Sequence, residues 1–400
     1  MNILIISQGY WPEIFPINII AKNIVKSKIN VNILTGYPNY PKGKIYNGFN
    51  SRVTSVKKKN NITINRVPII PRGINSKFGI ILNYISFLLS SIIFAPFLIK
   101  IKKIDIILVY ATSPIIQAYV GIYLKLFNKN AKLITWVQDL WPNILKETKI
   151  IKNNYLLKII SIIVKDIYNR SDIILAQSKS FFKEIKKITS TKIHLVYNPG
   201  YDESELKFKR KKDITNILYA GNIGNAQPWE KLLNYLYKSN FNDKLKLTIC
   251  GDGQKKNYVR DFIKQNKLKN IYLKNFLKDS NLKKEYQDAD FLLIMLNDGK
   301  HLNKTIPSKF QTYLAKSKPL LGISTGEFGK LIKIHNLGLV LKLNSLNSFK
   351  IVCKKIIRKN NQDLNLYSKN AKKLYRTNFS QKIINKKLIK IFKKCIKKES

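Results

Sequence analysis

Short apolar runs alternate along the chain with longer segments in which apolar residues recur every three or four positions. The short runs predict buried β-strands and the longer segments predict amphipathic helices, so their alternation indicates βαβ units built on parallel sheets. The predicted fold is α/β, with two doubly wound halves. Strands are predicted at residues 3–7, 31–35, 62–67, 104–110, 132–137, 173–176, 193–197, 216–219, 246–250, 271–274, 291–295, 319–323 and 338–341. Helices of the second half are predicted at residues 229–237, 257–265 and 306–315.

A polar stretch without periodicity, residues 198–213, separates the two halves and contains Pro199 and Gly200. This composition is typical of a linker, and 400 residues exceed what one hydrophobic core usually organises. We therefore predict an N-terminal domain over residues 1–198 and a C-terminal domain over residues 199–375. Residues 376–400 predict a basic amphipathic helix, whose apolar stripe must pack against another surface.

Residues 78–99 form a segment of 22 residues without a charge, flanked by Lys77 and by Lys100, Lys102 and Lys103. The segment is long enough to cross a bilayer. Three interpretations stay open: a core helix, a helix that lies in the membrane interface, and a true span. We favour the first two, because a span between two strands would place the halves of one sheet on opposite sides of the membrane.

The composition is strongly basic, with 73 Lys and Arg against 23 Asp and Glu and a formal net charge of +50. Such a charge raises nucleic acid or an anionic membrane surface as a partner. Only eight of the basic residues are Arg, whereas proteins that read nucleic acid rely on the planar Arg fork. We therefore predict no nucleic-acid partner and retain the anionic membrane.

The three cysteines, Cys250, Cys353 and Cys395, are far apart and form no Cys-x-x-Cys or Cys/His cluster. Neither a disulfide framework nor a zinc site is predicted, which fits a reducing cytosol. The first residues carry no basic region followed by a long apolar run, so we expect a first β-strand there instead of a signal peptide.

Three loops rich in aromatic residues and proline follow predicted strands of the first half, at residues 8–13, 36–43 and 138–142. Ligands of an open parallel sheet bind at the carboxyl ends of its strands. These loops therefore predict a wall that stacks on a sugar ring or an isoprenoid, with Glu13 and Asp139 as acidic groups beside it. The alternative is that the Trp-Pro pairs only stiffen the loops.

Three turns in the second half have the chemistry of a phosphate site. A glycine turn between a strand and a helix lets backbone amides and the helix N-terminus meet a diphosphate. A proline in the first turn of a helix leaves the next amides free. The sequence thus predicts a nucleoside-diphosphate site, whose candidate residues are Gly221, Asn222, Gly224, Gly251, Gly253, Ser308 and Lys309.

Other chemistries are disfavoured. Asp288 and Asp290 resemble a metal-binding pair, but they precede a predicted strand and so lie at the edge opposite the ligand crevice. The three histidines have no nucleophile or acid at a recognisable spacing, which argues against a hydrolase triad. His301 remains of interest, because it lies in a loop that follows a strand and precedes Lys309.

Five segments resemble the GT-B glycosyltransferases of family 4, in particular the O-antigen and capsule sugar transferases that include the fucosamine transferases. They are MNILIISQGYWPE, LTGYPNYPKGKIYNGF, WVQDLWP, GNIGNAQPWEKLL and IPSKFQTYLAKSKPLL, in family order from Met1 to about residue 345. The resemblance implies two Rossmann-like domains that face each other across a cleft. It also implies a donor site in the C-terminal domain, an acceptor site in the N-terminal domain, a C-terminal helix that returns to the N-terminal domain, no essential metal and transfer with retention.

The resemblance also implies roles for individual residues. Gly221 and Gly224 would line the diphosphate and Ser308 and Lys309 would contact it. Asp139 would lie beside the transferred sugar, and Glu13 would face the acceptor.

The chain departs from the family pattern at several positions. It has Gln138 where the wider family has His, and Lys304 and Thr312 where two glutamates spaced eight apart are expected. Recognition of the ribose then falls to other side chains, for which the candidates are Gln311, Thr312 and Glu327.

The resemblance, together with the predicted nucleoside-diphosphate site, thus implies a retaining transferase that moves a sugar from a UDP-sugar to a lipid-linked acceptor in surface-polysaccharide synthesis. The expected location is cytoplasmic, at the inner face of a bacterial membrane, with salt-reversible binding to anionic vesicles. The alternative is a two-domain nucleotide-binding protein without transferase activity.

Overall fold

A computed structural model describes the whole chain except residues 75, 148–150, 202–205, 207–213, 242, 276, 278 and 398–400. The chain divides into two compact units, which we call unit 1 (Met1–Pro199 with Gln381–Ser400) and unit 2 (Gly200–Ser380). The first division lies one residue after the predicted boundary, and the second lies five residues after the predicted start of the C-terminal element. Most of the predicted linker lies outside the described residues.

Unit 1 is built on one parallel sheet with helices on both faces. Its strands have the order β3-β4-β2-β1-β5-β6-β7-β8, and only the β3–β4 pair is antiparallel among the described residues. The elements in chain order are β1 (Asn2–Ile6), α1 (Pro16–Lys26), β2 (Asn30–Thr35), β3 (Ser55–Lys59), β4 (Ile62–Arg66), α2 (Lys77–Leu98), β5 (Ile106–Ala111), α3 (Ala118–Leu126), β6 (Lys132–Val137), α4 (Asn143–Glu147), α5 (Asn154–Arg170), β7 (Ile173–Ala176), α6 (Lys179–Lys186) and β8 (Ile193–Leu195).

Unit 2 repeats the scheme with a smaller, fully parallel sheet of order β11-β10-β9-β12-β13-β14. Its elements are β9 (Thr215–Ala220), α7 (Trp229–Ser239), β10 (Leu245–Cys250), α8 (Lys256–Gln265), β11 (Ile271–Lys274), α9 (Asp279–Asp288), β12 (Phe291–Met295), α10 (Ser308–Ala315), β13 (Leu320–Ile323), α11 (Glu327–Ile334), β14 (Gly338–Leu341), α12 (Leu346–Ile357) and α13 (Asn361–Leu374). The last helix, α14 (Gln381–Ile396), belongs to unit 1.

The helix α14 packs against α1 on one face of the unit 1 sheet. Its apolar stripe, Ile384, Leu388, Ile391 and Phe392, is buried, as the spacing of these residues predicts. A hydrogen bond from Asn23 Nδ2 to Gln381 Oε1, 3.0 Å long, fixes the start of the helix. On the other face of the sheet, α2 packs on α3 and α3 packs on α5.

All predicted strands are present, with ends that differ by at most two residues. The strand β3 was not predicted, because its sequence SVKKK has no apolar alternation and its side chains are largely exposed at the sheet edge. Lysines on an edge strand oppose pairing with other chains. The helix α10 begins at Ser308 and not at Ile306, since Pro307 is extended and caps it.

Candidate functional site

In unit 2, the loops after β9 and β10 are joined by backbone hydrogen bonds. The amide of Gly221 donates to Cys250 O (2.8 Å), and the amide of Ile223 donates to Asp252 O (2.7 Å). Both loops lie at the carboxyl ends of adjacent parallel strands. They form one continuous backbone surface at the edge where a parallel sheet binds its ligands.

Glycine is required at the junction of these loops. A Cβ at Gly251 would lie 1.9 Å from the carbonyl oxygen of Gly221. Gly221 itself has φ +130°, and a Cβ there would lie 2.7 Å from Lys309 Nζ. The two glycines therefore let the loops approach each other, and they leave room for the lysine head.

Lys309 lies in the first turn of α10, with Nζ 4.8 Å from the centre of the Tyr219 ring. The ring face attracts the ammonium. No hydrogen bond or ion pair to Nζ occurs among the described residues, and burial lowers the pKa of Lys309 to about 8. An ammonium that lacks an acidic partner beside a glycine turn is suited to bind an anion.

Two aromatic contacts hold Lys309 in this position. The Tyr313 hydroxyl accepts a hydrogen bond from the Ala220 amide (2.9 Å) and donates one to Ala220 O (3.1 Å), so α10 is fixed to the end of β9. The Tyr219 ring packs edge-on against Trp229, and its hydroxyl donates to Asn222 O (2.5 Å). These contacts join α10 and the loop after β9 to the end of β9.

Other residues predicted to bind the nucleotide already have hydrogen-bond partners within the protein. The amide of Gly224 is already used, because it donates to Gln227 Oε1 (2.9 Å). Gln311 is buried, and in the amide orientation that satisfies its surroundings it donates to Pro307 O and Ser308 O. The Thr312 hydroxyl likewise donates to Ser308 O, 3.0 Å away. Gln311 and Thr312 thus have local partners within their own helix.

Three other predicted site residues of unit 2 are Gly253, Ser308 and Glu327. Gly253 packs against the loop after β9, since a Cβ there would lie 2.5 Å from Asn222 Oδ1. Ser308 is exposed at the start of α10. Glu327 is buried at the start of α11, where a carboxylate is favoured by the helix dipole.

A polar cavity of about 490 Å³ opens at the carboxyl ends of β12, β13 and β14. Its residues were not among the predicted site residues, although Asn297, Ser324 and Lys342 lie at or just after the ends of these strands. The Thr325 hydroxyl donates to Asp298 Oδ1 across it (2.6 Å). The polar residues that line it are Glu230, Lys231, Asn297, Asp298, Ser324, Thr325 and Lys342. His301 does not line this cavity and is buried, with 1% of its surface exposed.

In unit 1, the carboxylate of Glu13 joins the loops after β1 and β2. Its Oε1 accepts hydrogen bonds from the amides of Asn39 and Tyr40, each 2.6 Å long. Burial raises the pKa of Glu13, and the two amides and the nearby Arg72 and Arg66 oppose that rise. Glu13 is only 3% exposed, so it holds the loops in place whether or not it also meets an acceptor.

Two arginines that were not predicted as site residues, Arg66 and Arg72, lie near Glu13. Arg66 ends β4 and is 1% exposed, and its guanidinium donates to Trp11 O and stacks on Phe49. Arg72 lies 5.3 Å from the Tyr40 ring, and its Nε is buried without a hydrogen-bond partner among the described residues. The chain contains only eight arginines, and two of them are six residues apart. This spacing was a sequence signal that could have indicated a functional loop.

Asp139 lies after β6 and is held by the loop after β5. Its Oδ2 accepts hydrogen bonds from the amide and the hydroxyl of Ser113, both 2.9 Å long. The Ser113 hydroxyl also accepts from Trp141 Nε1 (3.0 Å). Asp139 is partly exposed, which leaves the carboxylate accessible to a ligand.

The neighbouring Gln138 is part of a buried amide network. Its Oε1 accepts from Asn198 Nδ2 (2.7 Å) and its carbonyl oxygen accepts from Gln177 Nε2 (2.6 Å). The Nε2 of Gln138 is buried and has no partner among the described residues. This donor occupies the position at which the resemblance expects histidine.

The aromatic residues of the three loops divide into two groups. Trp141 and Tyr37 are buried, at 7% and 3% exposure, and support the loops from beneath. Tyr40 is 45% exposed and packs on Phe15, with ring centres 5.6 Å apart. Tyr40 is thus a residue of the predicted aromatic wall that is exposed enough to stack on a ligand.

The described residues contain no group of three or more His, Cys, Asp or Glu that could hold a metal ion. Asp290 precedes β12, and its carboxylate accepts a hydrogen bond from the Asn216 amide (2.8 Å). This places Asp290 at the amino edge of the sheet, as predicted.

The architecture matches solved structures along nearly the whole chain. A sucrose-phosphate synthase from Thermosynechococcus elongatus gives a TM-score of 0.74 at 12% identity and covers 98% of both chains. A trehalose-6-phosphate protein from E. coli bound with UDP-2-fluoro glucose gives 0.72 at 10% identity, with 98% and 99% covered. HepE from Anabaena in complex with UDP and glucose gives 0.68 at 12% identity, with 98% and 100% covered.

These matches show the fold: the chain has the GT-B fold, with two Rossmann-like α/β units, as the sequence predicted. No protein-family model and no curated protein sequence matches the chain.

Proposed function

We propose that the protein is a glycosyltransferase that takes a sugar from a UDP-sugar bound to unit 2. The observation that carries the proposal is the ammonium of Lys309, which lies without an acidic partner beside Gly221 in a GT-B unit. The similar structure from Anabaena was solved with UDP and glucose, which supports UDP as the nucleotide. By resemblance, the transfer would retain the configuration of the sugar and require no metal.

The chemical reason for this assignment is the leaving group. When the sugar departs, negative charge develops on the diphosphate oxygens, and preorganised donors stabilise that charge. In unit 2, such donors are the Lys309 ammonium and the N-terminus of α10. Asp139 would act at the sugar, and Glu13 would position the loops that meet the acceptor.

For the acceptor, we propose a lipid-linked glycan of O-antigen or capsule synthesis, as in the transferases of family 4 that the sequence resembles. The net charge of +50 supports work at an anionic membrane surface, since each lysine near such a surface adds about 1 kcal/mol of attraction. The corresponding location is the cytoplasmic face of a bacterial membrane.

A second candidate is a nucleotide-binding protein without transferase activity. The observation that favours it is the local bonding of Thr312 and Gln311 within α10. Thr312 occupies a position where the family has a glutamate, so the chain offers no carboxylate to the ribose there.

Calorimetric titration of the full chain with UDP, with and without EDTA, tests the donor site. We expect saturable binding at one site that EDTA does not change, and weaker binding by Lys309→Ala. Absence of binding by UDP and by other nucleoside diphosphates would refute a donor site in unit 2. If UDP binds but no UDP-sugar is turned over with or without lipid acceptors, the second candidate replaces the first.

A further inference from the structure

The helix α2 exposes its side chains with a period of four. Asn83, Phe87, Ser91 and Ala95 are buried at 2% exposure or less. The residues on the opposite side are large, apolar and exposed: Phe78 70%, Ile81 40%, Ile85 42%, Leu89 53%, Ile93 57% and Phe97 88%. An uninterrupted apolar stripe thus runs along the outer surface of the helix.

The outer face of α2 lacks the exposed polar residues of a helix that faces water. Two polar residues of the helix, Asn83 and Ser91, are buried instead, and Asn83 Oδ1 accepts a hydrogen bond from Gln8 Nε2 (2.7 Å). The Nδ2 of Asn83 donates to Ile70 O (2.6 Å). A surface helix in water normally places polar residues outside and apolar residues inside. The outer stripe of α2 therefore has the polarity of a surface that meets hydrocarbon.

Neighbouring helices of the same layer also expose apolar residues. α3 packs on α2, and α5 packs on α3. At the end of α3, Leu126 and Phe127 are 68% and 46% exposed. On α5 the exposed apolar residues are Tyr155 72%, Leu156 46%, Ile159 38% and Ile162 64%. Large exposed apolar side chains on three helices of one layer indicate an interaction surface.

The charges around the apolar surface are mostly positive. Exposed lysines at Lys100, Lys102 and Lys103 follow α2 directly, and Lys158 and Lys165 are exposed on α5. Asp166 on α5 is neutralised locally, because its carboxylate binds Arg170 and Tyr119. A second copy of the chain would place lysines opposite lysines, whereas anionic headgroups would complement them.

A transmembrane span does not fit the connections of α2. Among the described residues, α2 is the one helix long and apolar enough to cross a bilayer. However, it links β4 to β5, which belong to one sheet, and its inner side chains are part of the unit 1 core. The helix has 22 residues and is about 33 Å long, so it can lie along a membrane surface over its whole length.

We propose that the outer face of α2, together with that of α5, inserts its side chains into the acyl region of an anionic leaflet. The lysines beside it then contact the headgroups. This inference concerns unit 1 alone and does not depend on the donor site. It changes the expectation of salt-reversible binding, because apolar insertion persists when salt screens the charges.

Vesicle flotation tests the proposal with the full chain and vesicles of phosphatidylcholine with phosphatidylglycerol. We expect binding that weakens at about 0.5 M NaCl, where the Debye length is about 4 Å, but is not lost. The double variant Leu89→Ser and Ile93→Ser should lower the partition coefficient by about tenfold or more. A matched control in unit 2, Ile334→Ser and Ile351→Ser, alters residues 75% and 48% exposed and should bind as the parent does.

The depth of insertion can be measured with a tryptophan at the apolar stripe. We expect Leu89→Trp to gain emission that brominated acyl chains quench, and Ile334→Trp to gain none. UDP binding and circular dichroism of each variant show whether it is folded. Equal binding by the parent and the serine variant, complete release by salt, or a dimer that the serine variant dissociates would each overturn the proposal.

Discussion

The loop clusters at the carboxyl edges of the two sheets use the same topology in different ways. In unit 2, two glycine loops that are hydrogen-bonded to each other lie beside Lys309, whose ammonium has no acidic partner among the described residues. In unit 1, the carboxylates of Glu13 and Asp139 already accept two hydrogen bonds each from neighbouring loops. The charged group of unit 2 is thus free to bind an anion, whereas the two carboxylates of unit 1 already stabilise the conformation of their own loops.

Lys309→Ala tests the open site of unit 2 and should have the largest effect. By analogy with the loss of one oxyanion donor, we expect kcat/KM for sugar transfer to fall roughly 10²-fold or more. Thermal stability should change little, because Nζ makes no hydrogen bond or ion pair among the described residues. Lys330→Ala, on the exposed side of α11, is the control. An unchanged kcat/KM would remove Lys309 from the site.

Glu13→Ala tests whether the Glu13 carboxylate stabilises the loops after β1 and β2 in unit 1. The substitution leaves the Asn39 and Tyr40 amides without their acceptor, and an unsatisfied buried amide costs about 1–3 kcal/mol. We expect the free energy of unfolding to fall by roughly that amount in denaturant titrations, with UDP affinity unchanged. Glu13→Gln keeps an acceptor oxygen and should restore most of the stability. Weaker UDP binding without loss of stability would contradict the structural role.

Asp139→Asn tests whether a carboxylate in unit 1 also serves the chemistry. The amide keeps the size of the side chain, but it removes the negative charge that we propose to act at the transferred sugar. We expect turnover to fall by about 10-fold or more, with UDP affinity and thermal stability close to those of the parent. Full activity of the variant would restrict Asp139 to holding the Ser113 loop.

The pH dependence of UDP binding should show the smallest effect. Burial lowers the pKa of Lys309 to about 8, and a bound diphosphate favours the charged lysine. Affinity should therefore be nearly constant up to about pH 7 and fall as the pH rises through 8, by about tenfold at pH 9. Titration calorimetry between pH 7 and 9 would measure this, and Lys309→Arg should abolish the decline because Arg stays charged. A decline that persists in that variant would assign it to another group.

The sequence predicted the parallel strands because buried strands read as short apolar runs regardless of what surrounds them. It predicted the phosphate loops for a related reason, since glycine at a turn between strand and helix is a local requirement of the backbone. Gly221, Gly251 and Lys309 were therefore found by position alone, and the structure brings them together.

Other parts of the site could not be predicted in this way. Arg66 and Arg72 meet Glu13 only because β2 and β4 are neighbours in the sheet. Gln311 was a candidate for the ribose, but its helix turns it inward, where its amide binds Pro307 O and Ser308 O. The rotation of a helix about its axis and the order of strands in a sheet depend on contacts between distant residues.

The helices α2 and α14 also differ in how much of their burial the sequence determines. For α14, the spacing of Ile384 and Leu388 gave the buried stripe directly, because lysines mark its other side. For α2, apolar residues lie all around the helix, so the sequence determined its length and apolar character but left three interpretations open. Only the tertiary structure decided which side is buried, since hydrogen bonds of Asn83 to Gln8 and Ile70 fix the rotation of the helix.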